Sequence, residues 1–501
     1  MGNTAAVTVC VMLATVMQAL DTTIANVALP YMQGSLAATT EQINWVLTSY
    51  IVAAAIMTPP TGWLAGRLGR KRLLAGAVAG FTVASVLCGI AGSLEQMVVF
   101  RLLQGVFGAP LVPLSQSVLL DAYPRERHGQ AMALWGVGVM VGPIMGPLLG
   151  GWLTEYYHWR WVFFINLPVG IAAFAGLTVF LHEPGERSRG GAFDWFGFAA
   201  LSIAIGALQM MLDRGEQLDW FASREIVAEA VVSALAFYLF VVHIATSGQP
   251  FIEPRMFRDR NFSAGLAFIF IVGVILLGTL ALLTPFVQVL LDWPVFTAGM
   301  VLAPRGVGTM VAMLMVGRVI GRVDPRLLIA AGLLLTALSL WEMSGFTTDV
   351  GPQALVRTGI VQGLGLGFLF VPLSTVTFAT LDPRYRGHAT ALFSLMRNVG
   401  ASIGISVAVF LLARNTQVMH AGLAETVTPF TAALRAGGAA DIWSVGTRAG
   451  LAALNAEVTR QAGLVAYLDD FRLMMIVALA ALPLVLLLRK PTRRTAAAVV
   501  E

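Results

Sequence analysis

Residues 5–30 read AAVTVCVMLATVMQALDTTIANVALP, an unbroken apolar run that holds one charged side chain, Asp21. As a helix rising 1.5 Å per residue it would reach roughly 39 Å, more than the ~30 Å hydrocarbon core of a bilayer. Similar blocks fill the rest of the chain. Of its 501 residues, 57% are hydrophobic and 12% charged, and the mean hydropathy is +0.79. Soluble proteins carry about 25% charged residues because their surfaces face water. The chain is therefore read as an all-α, polytopic membrane protein, and disordered, collagenous and disulfide-scaffold classes are excluded. The first run lacks a basic start and a small-residue cleavage site before Asp21-Thr22-Thr23, so it is expected to remain as a helix. The opening Met1-Gly2-Asn3-Thr4-Ala5-Ala6 fails the myristoylation pattern.

Hydropathy predicts fourteen spans, near 5–30, 44–66, 73–92, 96–118, 131–154, 161–182, 196–213, 225–246, 262–286, 296–317, 327–346, 353–378, 388–413 and 468–488. The net charge of +5 is scattered over short loops, which argues against a nucleic-acid surface. Alternate connections carry Arg67, Arg70, Lys71 and Arg72; Arg125 and Arg127; Arg187 and Arg189; Arg255, Arg258 and Arg260; Arg322 and Arg326; Arg384 and Arg386. The tail adds Arg489, Lys490, Arg493 and Arg494, whereas the other short connections hold only Arg160, Arg214 and Arg224. The positive-inside rule then predicts a multi-pass protein of the cytoplasmic membrane with both termini cytoplasmic. Residues 414–467 form an expected outer connection, with a helix-compatible stretch from Thr447 to Leu464. It is either a tolerated insertion or a docking element for an extracytoplasmic partner.

Several glycines recur in order. Gln104-Gly105 returns as Gln362-Gly363, and Gly129, Gly142 and Gly146 return as Gly387, Gly400 and Gly404, all at an offset of 258. Gly62-x-x-x-Gly66-Arg67 returns as Gly317-x-x-x-Gly321-Arg322, and Pro113-Leu114-Ser115 as Pro372-Leu373-Ser374. The repeat predicts a six-helix half over 1–182, an inserted two-helix segment over 183–261 and a second half over 262–501 that includes the outer connection. Two halves in one orientation are the plan of transporters that rock about a midplane site.

Five motifs make the resemblance specific. They are Leu20-Asp21-Thr22-Thr23-Ile24-Ala25-Asn26-Val27-Ala28-Leu29-Pro30, the 62–71 segment Gly62-Trp63-Leu64-Ala65-Gly66-Arg67-Leu68-Gly69-Arg70-Lys71, Arg101-x-x-Gln104-Gly105, Gly138-x-x-x-Gly142-Pro143-x-x-Gly146-Pro147-x-x-Gly150-Gly151, and Trp159-Arg160-Trp161-Val162-Phe163-Phe164-Ile165-Asn166-Leu167-Pro168. Leu212-Asp213-Arg214-Gly215-Glu216 adds to them. With these the chain resembles the fourteen-helix drug:proton antiporters of the major facilitator superfamily, the EmrB/QacA type, over nearly its whole length. The resemblance implies proton-coupled efflux of lipophilic or cationic drugs by alternating access, with no cofactor. It also implies a periplasmic membrane-fusion adaptor and an outer-membrane channel where the cell has an outer membrane. Gly66 stands where many members have Asp, so their charge relay at that loop does not carry over intact. A metabolite or lipid exporter, or a non-transporting receptor or scaffold on the same fold, are the rival readings.

Ionisable residues within membrane helices are costly and are the natural functional candidates. Those that remain after the loops are removed are Asp21, Arg101, Glu229, Arg305, Arg357 and Arg397. Asp21 is the expected proton-coupling carboxylate, the alternative being a permanent structural pair with an arginine. Counting from the outer helix ends places Asp21 about 13 Å and Arg101 about 9 Å deep, which makes Arg101 its expected partner. Asn26, Gln104, Gly142, Pro143, Gly146, Pro147, Arg305 and Arg397 are assigned to the substrate pathway or its gating. The glycine stripe is either a leak seal or ordinary packing. For Arg305 and Arg397 the choice lies between anion binding and structural anchoring. Arg67, Arg70, Arg127 and Asp121, with Arg322 and Asp382 in the other half, are expected either to close the inner face or to act only as topology determinants. Arg326 and Arg386 fall in the same group. Glu229 reads as interfacial, and Arg357 as reaching the surface. Cys10 and Cys88 lie in apolar runs without metal or disulfide spacing. Gly363-Leu364-Gly365-Leu366-Gly367 follows no strand, and no Walker lysine or nucleophile–base set is present, so no enzyme is expected.

Overall fold

Thirteen helices among the described residues are long and apolar enough to cross a membrane, and a shorter apolar helix, Trp45–Met57, supplies a further crossing. The computed structural model describes residues 4–182, 193–248, 250–428, 443 and 446–489. We number the crossings α1 (Thr4–Ser35), α2 (Trp45–Met57 continued by Thr61–Leu68), α3 (Arg70–Ile90), α4 (Leu94–Ala122), α5 (His128–Tyr156) and α6 (Trp161–Phe180). Then come α7 (Trp195–Arg214) and α8 (Arg224–Thr246), followed by α9 (Arg260–Leu290), α10 (Thr297–Val319), α11 (Pro325–Met343), α12 (Pro352–Ala379), α13 (Arg386–Thr426) and α14 (Arg448–Leu487). No strand occurs among the described residues. Arg187, Arg189, Lys490, Arg493 and Arg494, and the expected boundary at 183, lie outside the described residues.

The helix ends follow local chemistry. Asp194, Asp259 and Asp324 each accept a backbone N–H from the first turn of the helix they precede, as N-caps do. Gly69 separates α2 from α3 at φ 90°, a left-handed conformation that only glycine adopts without strain. Pro59 and Pro60 interrupt α2, and Pro110 follows the first segment of α4.

The recurring glycines make equivalent contacts in the first six and last six helices. A Cβ on Gly105 would strike the Tyr50 carbonyl of α2, and one on Gly363 would strike the Arg305 carbonyl of α10. Gly142 faces the Ala19 carbonyl of α1, and Gly400 the Phe270 carbonyl of α9. Gly146 faces Thr23 of α1, and Gly404 faces Val274 of α9. These are backbone-to-side-chain and backbone-to-backbone approaches of the kind small residues permit in lipid. The offset of 258 is thus a spatial equivalence as well as a sequence one.

The inserted helix α7 bonds to both sets. Asp213 accepts a hydrogen bond from Thr48 of α2. From α13, Ser402 donates to Gln209 at 2.8 Å and Ser406 to the Leu212 carbonyl at 2.9 Å.

The expected outer connection at 414–467 is helical at both of its ends. Helix α13 does not stop near 413 but runs to Thr426, and the α14 helix begins at Arg448, with the Thr447 hydroxyl accepting from Gly450 N at 3.1 Å. The predicted helical stretch from Thr447 to Leu464 is present as the first half of that helix. His420 and Asn455 pair at 3.0 Å, so the two extensions lie side by side. Hydropathy marks where a helix leaves lipid, not where it ends. No proline interrupts the chain from Arg414 until Pro429, and the start of α14 is rich in Ala and Leu, good helix formers. Residues 429–442, 444 and 445 lie outside the described residues.

Candidate functional site

Asp21 and Arg101 are 0% and 1% exposed, and they meet. Arg101 Nη1 donates to Asp21 Oδ2 at 2.7 Å. The other carboxylate oxygen, Oδ1, accepts from Gln104 Nε2 at 2.7 Å and from Asn166 Nδ2 at 3.0 Å. The guanidinium is itself held, by the Val46 carbonyl at 3.1 Å from Nε and by Gln104 Oε1 at 2.7 Å from Nη1. Its carbon lies 4.3 Å from the centre of the Tyr50 ring. Ser85 links Asn166 (3.0 Å) to the Phe163 carbonyl (2.9 Å).

Five helices build this cluster. Arg101 and Gln104 lie three apart on α4, one turn on one face, so both reach α1. Tyr50 and Val46 come from α2, Ser85 from α3 and Asn166 from α6. The depth estimate that paired Asp21 with Arg101 agrees with this contact. Gln104, expected in the substrate pathway or its gating, is a direct partner of the carboxylate. Asn166 was not singled out; its signal was a polar residue inside an apolar motif.

The glycine stripe lines up on the same helix. Cβ atoms on Gly138, Gly142, Gly146 and Gly150 would meet Met12, Ala19, Thr23 and Ile24 of α1, and Thr23 Oγ1 donates to the Gly142 carbonyl at 2.9 Å. Pro143 is half-buried and Pro147 exposed on other faces of α5. Asn26 is also exposed, its amide reaching the Thr22 carbonyl at 3.4 Å rather than the cluster.

At the arginine-rich face the first and last six helices touch directly. Asp121, at the end of α4, is paired with Arg70 of α3 and, across the interface, with Arg386 of α13 at 2.5 Å. The Gly62 Cα carries no side chain where α13 crosses: a Cβ there would sit 2.6 Å from His388 N. Trp135 of α5 stacks on Phe370 of α12 with centroids 5.6 Å apart, both buried. Of the residues expected at this face, Arg70 and Asp121 join the cluster. Arg67 instead lies over Trp63, and Asp382 pairs with its neighbour Arg384 at 3.2 Å. Arg127 and Arg322 are exposed, and among the described residues no ion pair joins them to Asp121 or Asp382. Arg386, expected in the same group, supplies the contact across the interface. A Cβ on Gly66 would meet nothing within 4 Å, and the acid that both Arg70 and Arg386 engage is Asp121.

Arg305 is 7% exposed; Nη2 donates to the Leu276 carbonyl at 3.0 Å and Nη1 has no partner. Arg397 is half-buried. Arg357 reaches Glu342 at 3.3 Å, and Glu229 faces Arg214 at 3.8 Å.

A family model, the Major Facilitator Superfamily, matches residues 11–414. The chain belongs to this superfamily. It is 37% identical over 488 residues to the fatty acid resistance protein FarB of Neisseria gonorrhoeae, covering 97% of this chain and 96% of that one. It is also 37% identical to the multidrug export protein EmrB of Escherichia coli K12, covering 84% and 83%. Among solved structures, the proton:xylose symporter XylE aligns with a TM-score of 0.62 at 12% identity over 96% of each chain. The human organic anion transporter MFSD10 aligns with a TM-score of 0.60 at 15% identity, over 95% of this chain and 100% of that one. Those two show the fold. This is a multi-pass membrane protein of a transporter superfamily.

Proposed function

We propose that this major facilitator protein is a proton-coupled antiporter that exports lipophilic or cationic compounds, with Asp21 as the coupling carboxylate. The observation that carries it is the fully buried Asp21–Arg101 pair, in a chain 37% identical to a multidrug export protein. Protonation of Asp21 removes the negative charge that Arg101 bonds, so the pair and the bound proton exclude one another. Proton loading at Oδ2 therefore loosens Arg101, which couples α1 to α4 and, through the Val46 carbonyl and the Tyr50 ring, to α2. The two six-helix halves, 1–182 and 262–501, rock about the pathway, and the inserted segment 183–261 rides between them.

With both termini cytoplasmic in the inner membrane, the arginine-rich face is the inner one. The Arg70–Asp121–Arg386 cluster and the Gly62–His388 contact then close the inside, leaving the pathway directed outward. Each proton moving down 100 mV releases about 2.3 kcal/mol from the potential alone, enough to sustain an export gradient. The paired extensions of α13 and α14 would project outside, where they suit a periplasmic adaptor leading to an outer-membrane channel. No chemical transformation of the cargo is involved, and the protein is not an enzyme.

A second reading, export of an amphiphilic acid, is favoured by the free buried Nη1 of Arg305 and by the name of the FarB relative. Proteoliposomes under an inward proton gradient, challenged with a panel of lipophilic cations and acids, test both. Uphill movement with proton release identifies the cargo class, and movement of neither class removes the antiporter reading.

A further inference from the structure

Helix α14 buries Gly463, Tyr467, Asp470, Phe471, Met474 and Ala478, an apolar seam at helical spacing with one carboxylate in its middle. Asp470 is 1% exposed, and its Oδ2 has no hydrogen-bond partner. The residues beside it on α14 pack among aromatic and aliphatic side chains. The Phe286 ring of α9 lies 5.3 Å from Tyr467 and 6.0 Å from Phe471, and Leu340, Met343 and Phe346 belong to the same cluster. The contrast with Asp21, whose oxygens accept from an arginine and two amides, is complete.

Among the described residues, no cation of the packed helices is paired with it. Between Asn261 and Leu290, α9 has no ionisable residue. Glu342, at the end of α11, is engaged by Arg357. On α13 the His420–Asn455 bond sets the antiparallel register, which puts position 405 opposite Asp470 and leaves Arg397 and Arg414 about two turns away on either side. On α14 itself, Asp469 is half-buried and paired with Arg472, and Tyr467 is the remaining titratable neighbour. Asp349, on the α11–α12 connection, acts on Arg460, ten positions farther out along α14.

A carboxylate that is buried, unpaired and without a neighbouring cation is stable only as the neutral acid. We propose that Asp470 is a second proton-binding site of this protein, in the last six helices near the outer ends of α9 and α11, and proton-loaded in the conformation described. A one-turn π segment, Phe286–Leu290, forms the wall beside it, closed by Leu291 N to the Phe286 carbonyl at 3.1 Å. Such turns are rare and frequently mark functional positions. The proposal rests on the antiporter reading for its purpose, but the bound proton itself is observable without transport.

The test is an infrared titration of the full-length protein in lipid, comparing wild type with Asp470→Asn and Asp21→Asn. The expected result is a neutral carboxylic-acid absorption at near-neutral pH worth one group per molecule. It should fade with a single-proton titration as pH rises, be lost in Asp470→Asn and persist in Asp21→Asn. An absorption unchanged in Asp470→Asn overturns the site, and so does one that persists into alkaline solution, since a proton never released is not carried. If Asp470→Asn does not fold, Asp470→Glu must keep the absorption at a shifted frequency; an unshifted band contradicts the assignment. Wild-type proteoliposomes that show the titration yet no proton-driven flux would sink the antiporter reading and leave this site standing.

Discussion

Arg386, the first residue of α13, reaches across the interface between the first and last six helices to Asp121 at the end of α4, with 2.5 Å between Nη1 and Oδ1. Arg70 meets the same carboxylate from its own side, so one acid ties three helices. Arg386→Ala is expected to remove a charge-assisted bond worth about 1.5–3 kcal/mol and so shift the conformational equilibrium about tenfold or more toward an open arginine-rich face. Labelling of a cysteine introduced behind Gly62 should quicken accordingly. An unchanged rate would show that the pair does not hold the face closed.

The glycine stripe of α5 predicts a separable outcome. Gly146→Leu places bulk against Thr23 of α1, two residues from Asp21, at a cost of about 1–3 kcal/mol by overpacking. If the stripe seals the pathway, the variant should fold, exchange poorly and raise passive proton leak in proteoliposomes. Normal coupling per folded molecule with a lowered melting temperature would leave packing as its only role.

Much of this site was legible in residues alone, for physical reasons. An isolated carboxylate at Asp21 and a lone guanidinium at Arg101 are conspicuous in apolar helices, and helical rise fixes their depth. Gly105, Gly142 and Gly146 were visible because close helix approach demands small residues at a fixed period. Which arginine meets Asp121 was not legible, because Arg67, Arg127, Arg322 and Arg386 are equivalent in composition and differ only in where the helix ends point. Asp470 was missed for a related reason. Hydropathy started the last span at 468, which put that carboxylate at a water-facing end, whereas α14 continues outward to Arg448 and buries it.

The extensions of α13 and α14 give a third prediction. Replacing residues 417–457 with a short linker leaves the Tyr467–Phe471 seam intact. If the paired extensions dock a periplasmic adaptor, transport in proteoliposomes should survive while drug resistance of cells falls. Equal loss in both assays would make the extensions part of the transporter's own gate.

The central claim is that the proton is carried at Asp21 in exclusion of Arg101. Asp21→Asn keeps the hydrogen-bonding shape of the side chain but removes the charge and the titratable oxygen, leaving Arg101 buried without its counter-ion. The decisive measurement is uphill substrate flux and substrate-induced proton release in proteoliposomes, wild type beside Asp21→Asn, normalised to folded protein. The account predicts that the variant inserts and folds yet loses both. Near-normal uphill transport by folded Asp21→Asn protein would contradict it.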